Sequence, residues 1–182
     1  MPIPRAHIRS VLDAYLNEHP EEKEDLAVAL TLLKDGADLT SRKEFRGHAT
    51  AGAVLVDPHG RVLHIHHRAL NKWLLPGGHL EECDDSLQDA ALRELTEETS
   101  IQADSVAVAR ILPVHIDIHP IPANDARGEP DHQHIDFRFV FRTTAGDVSL
   151  QEEEVTDFAW REIDEISDDT LRRRVRAILA PR

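Results

Sequence analysis

The sequence predicts an α/β fold with a helical extension at its N-terminal side. Three observations support this fold class. Apolar residues recur at helical spacing over the first 35 or so positions, strand-like apolar runs begin at His48, and an amphipathic helical pattern closes the chain. The 182 residues are 41% apolar and 30% charged, a length and composition that suit one globular domain with additions.

The charge balance restricts the partners. The chain has 21 basic and 34 acidic residues, a net charge of −13, which argues against a nucleic-acid polymer or an anionic membrane as partner. A small phosphate-bearing substrate would therefore need local help from a cation. The single cysteine, Cys83, fits a reducing compartment, and no apolar run is long enough to span a bilayer. We expect a cytoplasmic protein.

Two helices are predicted in the extension. Pro4 suits a first helical turn, Pro20 opens the second helix, and Asp35-Gly36 closes it. The polar stretch ADLTSRKEFRG then acts as a linker into a different composition. We therefore divide the chain into a helical extension, residues 1–44, and a domain, residues 45–182. The extension is expected either to cover the core or to support a homodimer.

Strands dominate the next part of the chain. ATAGAVLV and RVLHIHH flank the turn signal Asp57-Pro-His-Gly60, so a hairpin is predicted. Further on, a helix is expected from near Ser86 to Thr99. The remaining elements, in chain order, are a short apolar run at Trp73–Leu75, one or two strands in SVAVARILPVHIDIH, a loop at IPANDARGEPD, a strand at HQHIDFRFVFR, a strand from Val155 to Trp160 and a helix capped by Ser167, Asp168 and Asp169.

The predicted central helix carries an unusual set of acids. In RELTEET, Glu94, Glu97 and Glu98 stand at i, i+3 and i+4 and share one stripe, where like charges weaken a helix. A solvated acidic face is one explanation. The other is a site for a hard divalent cation, because clustered carboxylates suit such ions and the upstream Gly77-Gly78 loop could fold back over the stripe.

Residues 76–101 resemble the Nudix box. That pattern runs Gly, five residues, Glu, seven residues, Arg-Glu, an apolar residue, any residue, Glu-Glu, any residue, Gly and an apolar residue. Gly78, Arg93-Glu94, Leu95, Glu97-Glu98 and Ile101 match it. Two positions depart from the pattern. Ser100 replaces the second Gly, and fourteen residues instead of thirteen separate Gly78 from Arg93; we place the insertion in the loop, which makes Asp85 the counterpart of the first Glu.

The resemblance implies a Nudix-type α/β/α sandwich with a mixed central sheet and a hydrolase of phosphoanhydrides in nucleoside diphosphates linked to another group. Arg93 would orient the acids through Asp85 or Glu81, and the backbone at Gly77 and Gly78 would contact metal or phosphate. The implied metal ligands, for Mg²⁺ or Mn²⁺, are Glu94, Glu97 and Glu98.

A general base must take a proton from the attacking water. Glu98 is one candidate. The acids of QEEEV, residues 151–155, are the other, with Glu153 or Glu154 preferred; the alternative for that run is a solvated loop. Glu97, Glu98, Arg93, Glu153 and Glu154 are thus the predicted catalytic residues.

Histidines concentrate in the same domain. His115, Asp117 and His119 alternate, and so do His132, His134, Asp136 and Arg138, so two adjacent strands could line a polar pocket. Three explanations stay open: histidines satisfied within a sheet, contacts to substrate, or a separate transition-metal site. The predicted substrate-binding residues are Gly77, Gly78, His79, His119, His132, His134 and Arg138.

Two rival functions are compatible with the same fold. A Nudix-fold nucleotide-binding regulatory module without turnover would be expected to lose the box acids, which are present here. A prenyl diphosphate isomerase relies on a cysteine placed elsewhere, whereas Cys83 lies inside the box loop.

Overall fold

The protein is represented by a computed structural model that describes residues 3–144 and 155–180. Four α-helices and eight strands occur among these residues. The helices are α1 (Arg5–Glu18), α2 (Ala27–Lys34), α3 (Leu87–Thr99) and α4 (Asp169–Leu179). The strands are β1 (His48–Val56), β2 (Val62–His67), β3 (Lys72–Leu74), β4 (Gly77–His79), β5 (Val106–Val108), β6 (His115–Ile121), β7 (His132–Thr143) and β8 (Val155–Arg161).

The strands form one mixed sheet around the parallel pair β1 and β7, in register from His48↔His134 to Val56↔Arg142. This pair is flanked differently at its two ends. Near the start of β1, β4 pairs with β1 and β6 pairs with β7; near its end, β2 and β5 take those places. β3 and β8 both pair with β2. The predicted mixed sheet is confirmed.

Each face of the sheet has its own apolar core, as the side-chain alternation of β1 requires. Ala49, Ala51 and Ala53 face α3 and the helices of the extension, together with buried side chains of β7 such as Phe137. Val54 on the other face packs against α4. Helices on both sides of the sheet make the predicted α/β/α sandwich.

The helices of the extension pack into the same apolar core as α3, on one face of the sheet. Ile8, Leu12 and Tyr15 of α1 are buried there. The second helix begins later than predicted, because Pro20 starts a 3₁₀ turn, Pro20–Lys23, and α2 follows at Ala27. The division into residues 1–44 and 45–182 stays a prediction.

Tyr15 joins the extension to the rest of the molecule. Its hydroxyl donates to Glu22 Oε2 at 2.5 Å and accepts from Arg174 at 2.5 Å and from the backbone N–H of Ile116 at 3.3 Å. Arg174 also donates to Glu22 Oε1 at 2.6 Å. One side chain of α1 is therefore bound to the 3₁₀ turn, to β6 and to α4 together.

The hairpin of β1 and β2 turns where the sequence predicts. The buried carboxylate of Asp57 accepts from the backbone N–H groups of His59 at 2.9 Å and Arg61 at 2.8 Å. The segment SVAVARILPVHIDIH forms two separate strands, β5 and β6. Among the described helices, none has the length and apolar character that a membrane crossing requires.

Candidate active site

Helix α3 begins and ends at residues that the sequence singles out. The Ser86 hydroxyl accepts from the Asp89 N–H at 3.1 Å and donates to the Asp89 carboxylate at 2.7 Å, which caps the first turn. At the other end Ser100 adopts the left-handed conformation, φ 55°, and its N–H donates to the Thr96 carbonyl at 2.8 Å. Ser100 thus takes the shape for which the Nudix pattern has glycine, and the register of the acids upstream is kept.

Arg93 is anchored by Asp84, which the sequence analysis did not choose. Of the two predicted partners, Glu81 forms a long ion pair with Arg93, and Asp85 takes the exposed position next to Asp84. Arg93 Nε lies 2.9 Å from Asp84 Oδ1 and its NH2 lies 3.0 Å from Oδ2, while Glu81 is 4.0 Å away. Asp84 is buried and Asp85 is exposed. The physical reason is that Asp84 keeps its spacing from Gly78, so the extra residue falls between Asp84 and the cap, where a turn absorbs it.

The same guanidinium reaches both the acids and the loop. It donates to Glu94 Oε1 at 3.0 Å, to Glu97 Oε2 at 2.9 Å and to the backbone carbonyl of His79 at 2.8 Å. Burial by itself would lower the pKa of Arg93, but its hydrogen bonds and charge contacts with Asp84 and Glu94 raise it well above the ordinary value. Arg93 is therefore a permanent cation that orients two of the three glutamates.

The glycine loop folds back over the stripe, as predicted. The Gly77 N–H donates to Glu98 Oε2 at 3.0 Å. A Cβ atom on Gly78 would lie 2.6–2.8 Å from the carboxylate atoms of Glu94, and one on Gly77 would lie 2.7 Å from the backbone of β1. Only glycine permits this close approach at either position.

The three glutamates differ in exposure. Glu98 is 3% exposed, the Glu94 side chain is 15% exposed and that of Glu97 is 49% exposed. A purely solvated acidic face would leave all three in water. Carboxylate oxygens held against a glycine loop are the ligands that Mg²⁺ and Mn²⁺ prefer, so these residues fit a divalent ion.

Glu153 and Glu154 lie outside the described residues. Strand β8, which follows them, begins at Val155 and pairs with β2. Their predicted catalytic role stays a prediction.

The predicted polar face exists at the end of the sheet where β4 and β6 flank β1 and β7. Asp117 lies opposite Asp136, and His119 lies opposite His134. Five imidazoles gather there with ring centroids 4.9–5.7 Å apart between neighbours. This histidine cluster consists of His48, His79, His119, His132 and His134.

The sequence did not indicate His48 as a member of the cluster. Its ring lies 4.9 Å from those of His132 and His134 because β1 runs parallel to β7. The signal that could have found it is the run His48, Thr50, Gly52, which alternates as His134, Asp136, Arg138 does. Nothing in one strand alone, however, states which distant strand will pair with it.

Three members of the cluster, His48, His79 and His134, have a lowered pKa, which favours the neutral form. Burial first, and then the neighbouring cationic groups and imidazoles, lower the pKa of His79 to about 4 and that of His134 to about 3. Burial also lowers the pKa of His48. At neutral pH the ring nitrogens of these three residues therefore offer lone pairs or single N–H donors, without positive charge.

Arg138 is surrounded by acids. Its Nε donates to Asp136 Oδ2 at 2.8 Å, and its other nitrogens lie 3.6 Å from Asp117 and 3.9 Å from Asp168. Burial lowers its pKa, but these carboxylates raise it above the ordinary value overall. The positive charge predicted to face substrate is thus shared with three side chains of the protein.

Comparison with known proteins shows the family. The NUDIX domain family model matches residues 46–180. A probable DHNTP pyrophosphohydrolase of Lactococcus lactis subsp. cremoris (strain MG1363) is 31% identical over 137 residues, which cover 72% of this chain and 76% of that protein.

Two solved structures share the fold at low identity. The E. coli dihydroneopterin triphosphate pyrophosphohydrolase aligns with a TM-score of 0.56 and 16% identity over 71% of this chain and 92% of that chain. A C. elegans Ap4A hydrolase aligns with a TM-score of 0.54 and 21% identity over 72% and 96% respectively. The family match, the related sequence and the fold lead to one conclusion: this chain belongs to the NUDIX domain family and is a hydrolase.

Proposed function

We propose that the protein hydrolyses a phosphoanhydride bond in a nucleoside diphosphate linked to another group, with Mg²⁺ or Mn²⁺ as cofactor. The observation that carries the proposal is the packing of the Gly77-Gly78 loop against Glu94 and Glu98. Nudix hydrolases generally use divalent metals and act on small molecules. The acidic net charge of −13 would otherwise repel such a substrate.

Glu94, Glu97 and Glu98 would hold the metal. A bound divalent ion supplies charge neutralisation for the diphosphate and a lower pKa for an attacking water. Arg93 orients Glu94 and Glu97 through its two hydrogen bonds and is itself held by Asp84. The Gly77 N–H keeps Glu98 Oε2 in place. The chain thus supplies pre-oriented oxygens, which is what catalysis of phosphoryl transfer mainly requires.

Glu98 is the general base that the geometry supports best. It is the most buried of the three acids, and the backbone N–H of Gly77 holds its Oε2 at 3.0 Å. A base must lie within hydrogen-bond reach of its proton, and a fixed carboxylate satisfies that condition better than the half-exposed Glu97. Glu153 and Glu154 stay predictions for the same role.

The leaving group would lie against the sheet edge. A concavity of about 570 Å³ is bordered by Phe45, Pro120, Ile121 and His132, which belong to the linker, to β6 and to β7. His79, His119, His132, His134 and Arg138 stay predictions for substrate contact. The neutral imidazoles of His79 and His134 could pair with a polar ring edge, but they would add no charge toward phosphate.

A second substrate is favoured by the related sequence. The Lactococcus lactis protein that is 31% identical is named as a probable DHNTP pyrophosphohydrolase. Dihydroneopterin triphosphate also contains phosphoanhydride bonds, so the same acids would serve. We therefore propose it as the alternative substrate. A binding module without turnover is the other alternative.

A substrate panel tests the proposal. Purified protein is incubated with nucleoside diphosphate derivatives and with dihydroneopterin triphosphate, with Mg²⁺, with Mn²⁺ or with chelator, and products are identified by chromatography. We expect metal-dependent hydrolysis that Glu98→Gln and Glu97→Gln reduce, while Glu82→Gln, an exposed loop acid, leaves it unchanged. No cleavage across the panel would contradict the proposal, and binding without cleavage would favour the regulatory module.

The cytoplasmic location, the homodimer and the separation of residues 1–44 from residues 45–182 stay predictions. Size-exclusion chromatography with light scattering would test the homodimer directly.

A further inference from the structure

Three imidazoles of the histidine cluster converge on one point. His48 of β1, His79 of β4 and His134 of β7 each offer a ring nitrogen, and these three nitrogens lie within 4.8 Å of one another. The strands that carry them are neighbours in the sheet, with Thr50 opposite His79 and His48 opposite His134. Backbone pairing therefore fixes where the three rings meet.

His48 carries a polar atom with no partner. The residue is 2% exposed, and its Nε2 has no hydrogen-bond partner among the described residues. Its Nδ1 lies 3.4 Å from the Glu44 carbonyl, a contact that places the proton on Nδ1 and the lone pair on Nε2. The ring lies 5.2 Å from that of His79 and 4.9 Å from that of His134, and its buried lone pair lacks the partner that buried polar atoms almost always have.

His132 shows the same orientation beside the three rings. Its Nδ1 lies 2.8 Å from the Pro130 carbonyl, and its Nε2 lies 3.3 Å from His134 Nε2. Histidines that bind metal usually donate their other N–H to a carbonyl or carboxylate, which fixes the ring. Two members of the cluster thus have their outer nitrogens engaged in the way that metal ligands do.

We propose that His48, His79 and His134 bind one late transition-metal ion, with Zn²⁺ as the preferred chemistry. Imidazole nitrogen suits Zn²⁺, Co²⁺ and Ni²⁺ and does not suit Mg²⁺. A tetrahedral Zn²⁺ with bonds of about 2.0–2.1 Å needs ligand nitrogens roughly 3.3 Å apart, so small ring rotations would close the site.

This site differs from the carboxylate site in its donors. Glu94, Glu97 and Glu98 offer only oxygen, and the histidines offer only nitrogen. The low pKa values of His79, about 4, and His134, about 3, mean that binding displaces no proton from either residue at neutral pH. Metal binding would use the lone pairs of His79 and His134, so these two rings could not contact substrate through those atoms in the same state.

The metal would connect three strands beside the glycine loop. His79 follows Gly78 directly, and its carbonyl accepts from Arg93 at 2.8 Å. An ion bound to the His79 ring would therefore hold one end of the loop that packs against the glutamates. The role of the histidine-bound ion would thus be to position the Gly77-Gly78 loop.

The test uses the full chain after removal of metals with a chelator. Zn²⁺ binding is measured by titration calorimetry in excess Mg²⁺, and Co²⁺ binding by visible absorption, because tetrahedral nitrogen coordination gives far stronger bands than octahedral oxygen coordination. The variants are His79→Gln and His134→Gln. The controls are His59→Gln, an exposed histidine of the β1–β2 turn, and the double variant Glu97→Gln/Glu98→Gln. Circular dichroism checks that each variant is folded.

We expect one tight Zn²⁺ per chain and an intense Co²⁺ spectrum. Each cluster variant should weaken binding by at least about 100-fold, above the loss caused by removing a supporting contact. Both controls should bind as the unsubstituted chain does. In that chain, Zn²⁺ should also protect His79 and His134, but not His59, from acylation by diethyl pyrocarbonate, a readout that needs no variant.

Three results would overturn the proposal: no binding beyond that of the carboxylates, unchanged binding in both cluster variants, or loss of binding in the glutamate double variant alone. Absence of protection at His79 and His134 would do the same. None of these measurements depends on turnover, so the outcome is independent of the proposed hydrolysis.

Discussion

Asp84 and Arg93 form a two-pronged ion pair, with Nε–Oδ1 at 2.9 Å and NH2–Oδ2 at 3.0 Å. Asp84 is buried, and it also accepts from the Glu81 N–H at 2.7 Å. The pair thus closes the box loop and holds the start of the acidic stripe. Removing the Asp84 carboxylate leaves the half-buried guanidinium of Arg93 with fewer negative partners. The resulting loss of folding stability can be measured.

Asp84→Ala should lower the free energy of unfolding by about 3 kcal/mol, because one partner of a buried pair is left behind. Urea titration followed by circular dichroism measures the change. Asp85→Ala, at the exposed neighbouring position, is the matched control and should cost no more than about 1 kcal/mol, the upper value for an exposed ion pair. Equal losses of stability in the two variants would favour Asp85 again as the partner of Arg93.

Gly78→Ala should reduce hydrolysis by about 100-fold, the loss that a displacement of about 1 Å can cause. The new Cβ would lie 2.6 Å from Glu94 Oε1, and the flexible carboxylate would move away at little cost in stability. Gly52→Ala is the control, because its nearest contact would be an ordinary 3.5 Å. Steady-state kinetics and thermal unfolding separate the two effects. If the Gly78→Ala variant kept full activity, Glu94 could not be one of the proposed metal ligands.

Ser100→Gly should stabilise the protein by about 0.5–1 kcal/mol, because the left-handed backbone at φ 55° strains a residue with a Cβ atom. The gain is partly offset by the greater freedom of glycine in the unfolded chain. Ser105→Gly, in a 3₁₀ turn without positive φ, should destabilise instead. Thermal unfolding of both variants gives the comparison, and a loss of stability in Ser100→Gly would show that the strain is negligible.

Acidification should destabilise the metal-free chain through the histidine cluster. The folded pKa values, about 4 for His79 and about 3 for His134, lie below the ordinary 6.5, so between these values the unfolded chain binds more protons. The free energy of unfolding therefore falls as pH drops below about 6.5 toward 4. Chemical unfolding at a series of pH values measures it.

Other groups also titrate in acid, so the cluster is isolated by difference. A His79→Gln/His134→Gln variant lacks the two histidines and should show a shallower fall over the same pH range. Parallel curves for the variant and the unsubstituted chain would mean that the two histidines are not kept neutral by folding.

Tyr15→Phe should cost about 1–3 kcal/mol, since it removes a hydroxyl that serves Glu22 and Arg174 in a largely buried place. Thr31→Val, which removes an exposed hydroxyl bonded to the Ala27 carbonyl, is the control and should change stability by less than about 0.5 kcal/mol. Denaturant unfolding measures both. Equally small losses of stability in the two variants would mean that Tyr15 holds the extension only through the apolar packing of its ring.

Local signals predicted local structure well. Residues close together in sequence determine three of the predicted features, and the structure has each of them: the cap at Ser86, the turn at Asp57 and the alternation of β6 and β7. The α/β/α arrangement followed from the resemblance of the box together with the order of the elements.

What failed depended on distance or on one inserted residue. The start of α2 was misplaced because a proline opens a 3₁₀ turn as readily as an α-helix. Asp85 was preferred to Asp84 because helical register was extended backward through a cap, where a turn can absorb one residue. The position of His48 depends on a strand pairing between segments far apart in sequence, and composition and periodicity carry no information about that partner.

The parallel pairing of β1 with β7 has a consequence for biosynthesis. Thr50 and Asp136, which meet across this pair, are separated by 86 positions. A ribosome must therefore release the chain as far as β7 before the middle of the sheet can close, and until then β1 lacks its parallel neighbour. Long loop closure slows such folding. We expect the nascent chain to depend on chaperones during that interval more than a protein built from hairpins would.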